Sequence, residues 1–406
     1  MQKLKDNDVL SFADNTQMKE YFKNQESTDR WVNVYTNELE TVPLEHNELN
    51  LFVPDSFLFT TKKGHTVKGF SMDVEDEDIT TSMKNTRIAI CLPYNDEMVM
   101  YPLRYTAFTH IQERSGVSGS SISSLKERRR ANEMAPATRC HCINEGLGLY
   151  KDKTLALIRD GKCTALLSGD ESDYSVMPTS ELIGILENEL KSSYASYEFA
   201  MSKTSHEITE ILYNLRDEEL EKRVFDVLTA NGELVSNISL QVRLTTSDVG
   251  KCAARLTPII YDEGKPIILG KSLSVEHKGG KKAMSAFKDV SQRFLAKYRE
   301  NITNLQKLMN ITINYPEDCM KNIYTALKMT GHIASLRNCQ ERIVAEHNGT
   351  CSAYDIYWYL NEMLFLTEMN NKQQGKTLSL FESIKAQETV AEILFMDIKQ
   401  FDHPAE

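Results

Sequence analysis

No apolar run in the 406-residue chain approaches the ~18–20 residues that a membrane-crossing helix needs. The opening Met1-Gln2-Lys3-Leu4-Lys5-Asp6 leads into polar sequence without the apolar stretch of a secretory signal, so the expected location is cytoplasmic and no membrane partner is expected. The eight cysteines, Cys91, Cys140, Cys142, Cys163, Cys252, Cys319, Cys339 and Cys351, form no dense framework of short spacings, and reduced thiols are the expectation. Internal repeats and low-complexity tracts are also absent. No complete G-x4-G-K-[ST] phosphate loop occurs. Gly270-Lys271-Ser272 has the right ending, but Lys265 stands where the first glycine belongs, and Gly146-Leu147-Gly148 continues to Lys151 instead of a third glycine.

What is present is an ordinary globular composition, 41% hydrophobic and 26% charged, enough for two or three compact units. The net charge of −11 argues against a protein that coats duplex DNA through bulk electrostatics. That charge is unevenly spread. Residues 1–80 hold 16 acids and 8 Lys/Arg, residues 312–406 hold 13 acids and 8 Lys/Arg, and the centre is slightly basic. This divides the chain into an acidic N-terminal segment (1–80), an α+β core (81–311) and a helical C-terminal region (312–406). The run Asp73-Val74-Glu75-Asp76-Glu77-Asp78 reads as a solvated loop.

Local patterns give an α+β fold, an antiparallel sheet with packed helices followed by a long helix. Arg87–Leu92, ending at Pro93, and Met98–Tyr101 read as strands. Tyr105, Phe108 and Ile111 recur at helical spacing before Gly116. The Ser115–Ser124 cluster can cap a helix through Leu125–Arg130 that stops before Pro136. Lys153–Arg159 and Cys163–Leu167 flank Asp160-Gly161, a pair that tolerates the positive φ angles of a tight hairpin. A helix capped at Thr179 or Ser180 follows. Further strands are expected at Ile208–Leu215, Val235–Leu244, Ala253–Tyr261 and Pro266–Val275, with a helix at Glu218–Leu228. After Gly279-Gly280, Phe287, Val290, Phe294, Tyr298, Ile302, Leu305 and Met309 form one apolar stripe, broken at Pro316, and helices follow around 318–330, 334–346, 353–369 and 378–399. The aromatic helix Tyr354–Phe365 reads either as core or as a face for homo-oligomerisation.

Residue types with catalytic potential are scattered. Cys140-His141-Cys142 lacks the second distant pair of a zinc site, so buried thiols are expected and no metal or cofactor. Ser205-His206-Glu207 has the residue types of a hydrolytic triad, but sequence neighbours rarely face one another, and a loop entering a strand is the better reading. A dispersed enzymatic site would draw on His277, Asp248 and His141; the balance leans away from an enzyme. Glu276-His277-Lys278-Gly279-Gly280 marks a strand-to-helix junction whose helix N-terminus can hold an anion.

The most informative cluster is basic. Lys278, Lys281, Lys282, Lys288, Arg293, Lys297 and Arg299 put seven cations into 22 residues, against Asp289 alone. On the helix they fall mainly opposite the apolar stripe. Arg128, Arg129, Arg130 and Arg139, with Lys126, form a second group. Together the two groups can line a groove for a single strand. The leading expectation is therefore a non-enzymatic nucleic-acid-binding factor, possibly for single-stranded DNA binding or annealing. The alternative, resting on the acidic ends, is a protein–protein interaction factor that inhibits or modulates a host defence complex.

The order of several segments resembles a family of phage/plasmid-like proteins, a domain of unknown function carried on phages, plasmids and genomic islands. The resemblance covers roughly residues 87–366. It is carried by Glu113-Arg114-Ser115-Gly116-Val117 after a helix, by Leu155–Ser168 with Arg159 before the hairpin turn, by Thr246-Ser247-Asp248-Val249-Gly250, by Glu276-His277-Lys278-Gly279, and by Ala353–Asn361. The family often has a Cys-x-Asn before the His motif; here that stretch is Pro266-Ile267-Ile268-Leu269-Gly270-Lys271. What the resemblance implies is a mobile-element setting, with DNA processing or host-defence interference as the natural context.

Overall fold

The computed structural model describes residues 8–46, 50–53, 71–73, 86–94, 97–117, 131–193, 196–230, 238–262, 265–347, 349–376 and 379–405. The fold is α+β with antiparallel sheets, as the sequence pattern predicts. The strands are β1 (Leu10–Phe12), β2 (Arg30–Tyr35), β3 (Glu40–Pro43), β4 (Glu45–His46), β5 (Asn50–Phe52), β6 (Ser71–Asp73), β7 (Ile88–Tyr94), β8 (Glu97–Pro102), β9 (Lys153–Arg159), β10 (Lys162–Ser168), β11 (Ser196–Thr204), β12 (Thr209–Arg216), β13 (Ile238–Thr246), β14 (Ala254–Asp262), β15 (Lys265–Ile268), β16 (Leu273–Val275), β17 (Thr312–Ile313) and β18 (Cys351–Ser352). The helices are α1 (Asn15–Thr28), α2 (Tyr105–Ser115), α3 (Ala131–Leu147), α4 (Thr179–Ser193), α5 (Glu218–Ala230), α6 (Lys281–Met309), α7 (Pro316–Ala326), α8 (Ile333–His347), α9 (Ala353–Gln373) and α10 (Leu380–Ala391).

The main sheet has the order β1-β11-β12-β13-β14-β15, with β16 also paired to β14. Its central strand β13 alternates apolar and polar residues. Leu240, Val242 and Leu244 of β13, opposite Leu215, Tyr213 and Ile211 of β12, join a core with Phe287, Phe294, Tyr298, Ile302 and Leu305 of α6. The 29-residue α6 lies against that apolar face. Its Tyr298 hydroxyl donates to the Ile259 carbonyl at 2.6 Å, whereas the amide of Asn301, buried on the same side of the helix, has no partner among the described residues. The predicted break at Pro316 is corrected. The helix ends at Met309, β17 intervenes, and Pro316 opens α7 at its first turn, where a missing N–H costs nothing.

A second core lies between the small sheets β10-β9-β2 and β3-β7-β8 and helices α2 and α3. The β9–β10 hairpin turns on Asp160 and Gly161 with φ of 54° and 74°, the two positive angles expected there. Two proline expectations are corrected. β7 runs through Pro93 to Tyr94; Pro93 lies beyond the part of β7 that pairs with β3, so the absent donor leaves no bond unmade. The described α3 contains Pro136 inside it. The expected helix at 125–130 and the acidic run at 74–78 lie outside the described residues.

The segment 1–80, set apart by composition, is woven into these sheets through its described strands. β1 pairs with β11, β2 with β9 and β3 with β7. The C-terminal region packs on the main core through α7 to α9. The aromatic helix α9 is core there: Tyr354, Tyr357 and Tyr359 are buried, and the Tyr357 hydroxyl donates to the Ile268 carbonyl at 2.5 Å. Among the described residues no helix is long and apolar enough to cross a membrane.

Candidate functional site: a buried ionic centre at the root of a basic helix

Three segments far apart in sequence meet where the two cores join. Arg159 closes β9, Asp29 follows α1 as its C-terminal cap, and Asp248 lies in the turn after β13. The Arg159 Nε donates to Asp29 Oδ1 at 2.8 Å. Its Nη2 donates to Asp29 Oδ2 at 2.5 Å and to Asp248 Oδ2 at 2.8 Å. Arg159 is 5% exposed. Burial works against its charge, but the bond from Asp29 and the charges of both carboxylates outweigh it, and its pKa is held above the ordinary range. A buried fork of this kind is expensive to break, because removing one partner strands the others in low dielectric.

The same point anchors the start of α6. The Tyr174 hydroxyl donates to the Asp248 carbonyl at 3.0 Å, and the His277 ring stacks on Tyr174 with centroids 5.5 Å apart and planes 6° apart. The Ser175 N–H donates to the His277 carbonyl at 2.7 Å, the Gly279 N–H to the Glu171 carbonyl at 2.7 Å, and the Gly280 N–H to the Ser175 hydroxyl at 2.6 Å. Gly280 has φ of 61° and ψ of −133°, a backbone conformation that glycine adopts without the strain a side chain would bring. Burial outweighs the Asp248 charge and lowers the His277 pKa. Neither of its ring nitrogens has a hydrogen-bond partner. The centre thus holds the strand-to-helix junction rigidly. It offers no nucleophile–base pair within hydrogen-bond reach, the geometry that covalent catalysis requires.

Of the dispersed trio, Asp248 and His277 converge here, whereas His141 is exposed on α3. Its neighbour Cys140 is buried, and burial pushes the thiol up to about 12 despite the bond from Thr41. Among the described residues no group of metal-ligating side chains forms. Ser205 receives bonds from the Glu207 and Ile208 N–H groups and closes the β11–β12 turn.

The basic cluster divides along α6. Lys297 is paired with Glu300 at 3.0 Å, and Arg299 lies 3.5 Å from Glu219 and 3.9 Å from Asp217, beside the acidic first turn of α5. Lys278, before the helix, is paired with Glu276 at 3.0 Å. In contrast Lys281, Lys282, Lys288 and Arg293 are exposed, and among the described residues no carboxylate lies within ion-pairing distance of them. By helical geometry Lys281 and Lys288 edge one side of the exposed face and Lys282 and Arg293 the other, with Ser285, Asp289 and Gln292 between. Arg139 does not join this surface. It is 5% exposed on α3, and burial lowers its pKa. Arg128, Arg129 and Arg130 lie outside the described residues.

Reasoning from sequence missed Asp29 and Tyr174. The one available signal was Arg159, a charge ending an otherwise apolar strand directly before a turn. Three of the five segments that carry the family resemblance contribute to the centre; Arg114, in a fourth, instead ties α2 to β10 through the Leu166 carbonyl at 3.1 Å and to Asp152 at 2.9 Å. Compared with family models, curated proteins and solved structures, the chain matches none.

Proposed function

We propose that this chain is a mobile-element protein that binds single-stranded nucleic acid without chemical turnover, through the exposed N-terminal half of α6. One observation carries the reading: Lys281, Lys282, Lys288 and Arg293 stand on a solvent-facing helix surface without carboxylate partners, whereas Lys297 and Arg299 further along are compensated. The buried Arg159 fork and the Tyr174–His277 stack fix where that surface begins, so its cations are held in register on a rigid rod. Backbone phosphates are the natural partner for such a row, and contacts of this type carry no sequence preference.

Four phosphate contacts give log K a slope of about −3 against log salt for a single strand. Fluorescence anisotropy on a labelled oligonucleotide, repeated across salt concentrations, measures it. The combined Lys281→Ala, Lys282→Ala, Lys288→Ala and Arg293→Ala variant is expected to bring the slope close to zero. Absence of binding by the unaltered protein at ~50 mM salt, where phosphate contacts are strongest, would refute the reading.

A further inference from the structure

The main sheet has a second face, which sets a row of buried polar side chains beside a small apolar cluster of Leu212, Ile259 and Ile268. Along β13, Gln241, Arg243 and Thr245 alternate with the apolar residues of the core; opposite them stand Asn214, Leu212 and Glu210 of β12 and Ile259, Thr257 and Arg255 of β14. Such alternation is the mark of an antiparallel sheet with one solvated face. Here that face is covered by α10, and Arg243 is 0% exposed.

The cover matches poorly. Arg243 Nη1 donates to Gln387 of α10 at 2.5 Å and to Glu210 at 3.2 Å, while its Nε and Nη2 have no partner. Gln241 Oε1, Thr245 Oγ1 and Glu388 Oε1 are likewise buried and unpartnered. Arg255 is paired with Glu388 of α10. Cavities of about 230 and 530 Å³ flank the covered strip, the first lined by Lys203, Glu210 and Gln387 among others, the second by Arg255 and Lys271 with the carboxylates Glu276, Glu388 and Glu392 among others. The apolar anchors of α10 sit at its two ends, Leu380, Phe381 and Ile384 with Ile208 and Cys252 at the start and Val390 in the main core with Ala391 against Leu212 at the finish, and the turn between them, which carries Gln387 and Glu388, meets the sheet through polar groups.

We infer that α10 is a displaceable lid over a second phosphate-binding surface, and that its Gln387 and Glu388 occupy the arginines that a nucleic-acid backbone takes up when the lid lifts. The sheet beneath it presents Lys203, Arg243 and Arg255 against Glu210, an excess of cations that the lid's own acceptors answer. This rests on the nucleic-acid reading above but concerns the opposite side of the sheet from α6.

The test is salt-dependent binding of a single-stranded oligonucleotide by four proteins: the unaltered chain, a lid variant (Gln387→Ala with Glu388→Ala), the lid variant with Arg243→Met and Arg255→Met added, and the fourfold α6 variant. The lid variant is expected to bind roughly tenfold tighter at low salt with a slope steeper by about 1.4, two phosphates more, and the added arginine substitutions to abolish that gain. An affinity and slope unchanged in the lid variant, while the α6 variant loses binding, overturn the lid and leave the α6 reading standing. A gain in the lid variant with full binding by the α6 variant does the reverse, and no binding by any of the four removes both. Should the double lid variant fail to fold, Glu388→Gln alone, which keeps the helix's shape, carries half of the change.

Discussion

The two faces of the main sheet are covered by helices in opposite ways. Under α6 the fully buried stripe residues from Phe287 to Leu305 meet other apolar side chains and the Tyr298 hydroxyl has a carbonyl to bond, although the buried amide of Asn301 has no partner among the described residues. Under α10 the sheet offers a buried arginine with two guanidinium nitrogens unpaired among the described residues, and the helix answers with one carboxamide and one carboxylate. Close packing holds the first interface. Apolar anchors at the two ends of α10 and an incomplete set of polar bonds between them hold the second. Both helices cover the same strands, so the difference lies in the side chains of alternate residues along β12, β13 and β14. An interface that leaves donors unmet in low dielectric loses less when it opens to water, which is the property a movable element needs.

The largest effect separating the faces is expected from Phe287→Ala. Phe287 is 0% exposed in the α6 interface, and truncation there should cost ~3–5 kcal/mol in urea unfolding, transfer and cavity terms together. A loss under about 1 kcal/mol would mean that the α6 interface is no tighter than the other. The opposite face is expected to respond differently. Arg243→Met with Glu210→Gln removes a buried ion pair whose guanidinium is only partly bonded, and the change should be neutral or stabilising by about 1 kcal/mol. A destabilisation as large as that of Phe287→Ala would show that the polar face is integral to folding and has no spare capacity for a ligand.

Much of this was legible wherever the cause is local. The Asp160-Gly161 turn follows from two residues that tolerate positive φ, and the stripe of α6 follows from helical spacing. The strand expected at Val235–Leu244 overlaps the observed Ile238–Thr246. What covers its polar face was not legible, because Gln387 of α10 lies 144 residues downstream of Arg243 and carries no sign of its target. The ionic centre was hidden for the same reason. Asp29 and Arg159 are 130 residues apart, and Arg159 and Asp248 are 89 apart. The excess of charge on α6 was visible, but not its neutralisation at one end, since Glu219 and Asp217 belong to another helix and the loop before it. Arg139 reads as a surface cation by type and is withdrawn by the packing of α3.

Amide hydrogen exchange, followed by mass spectrometry with and without a single-stranded oligonucleotide, tests the contrast most directly, since it reports opening of each helix separately. The expected result is that Leu380–Ala391 exchanges far faster than Phe287–Leu305 in the free protein, and that the strand slows exchange over Lys281–Arg293 while speeding it over Leu380–Ala391. Equal protection of the two helices, unaltered by the oligonucleotide, would contradict both the lid and the surface it is held to cover.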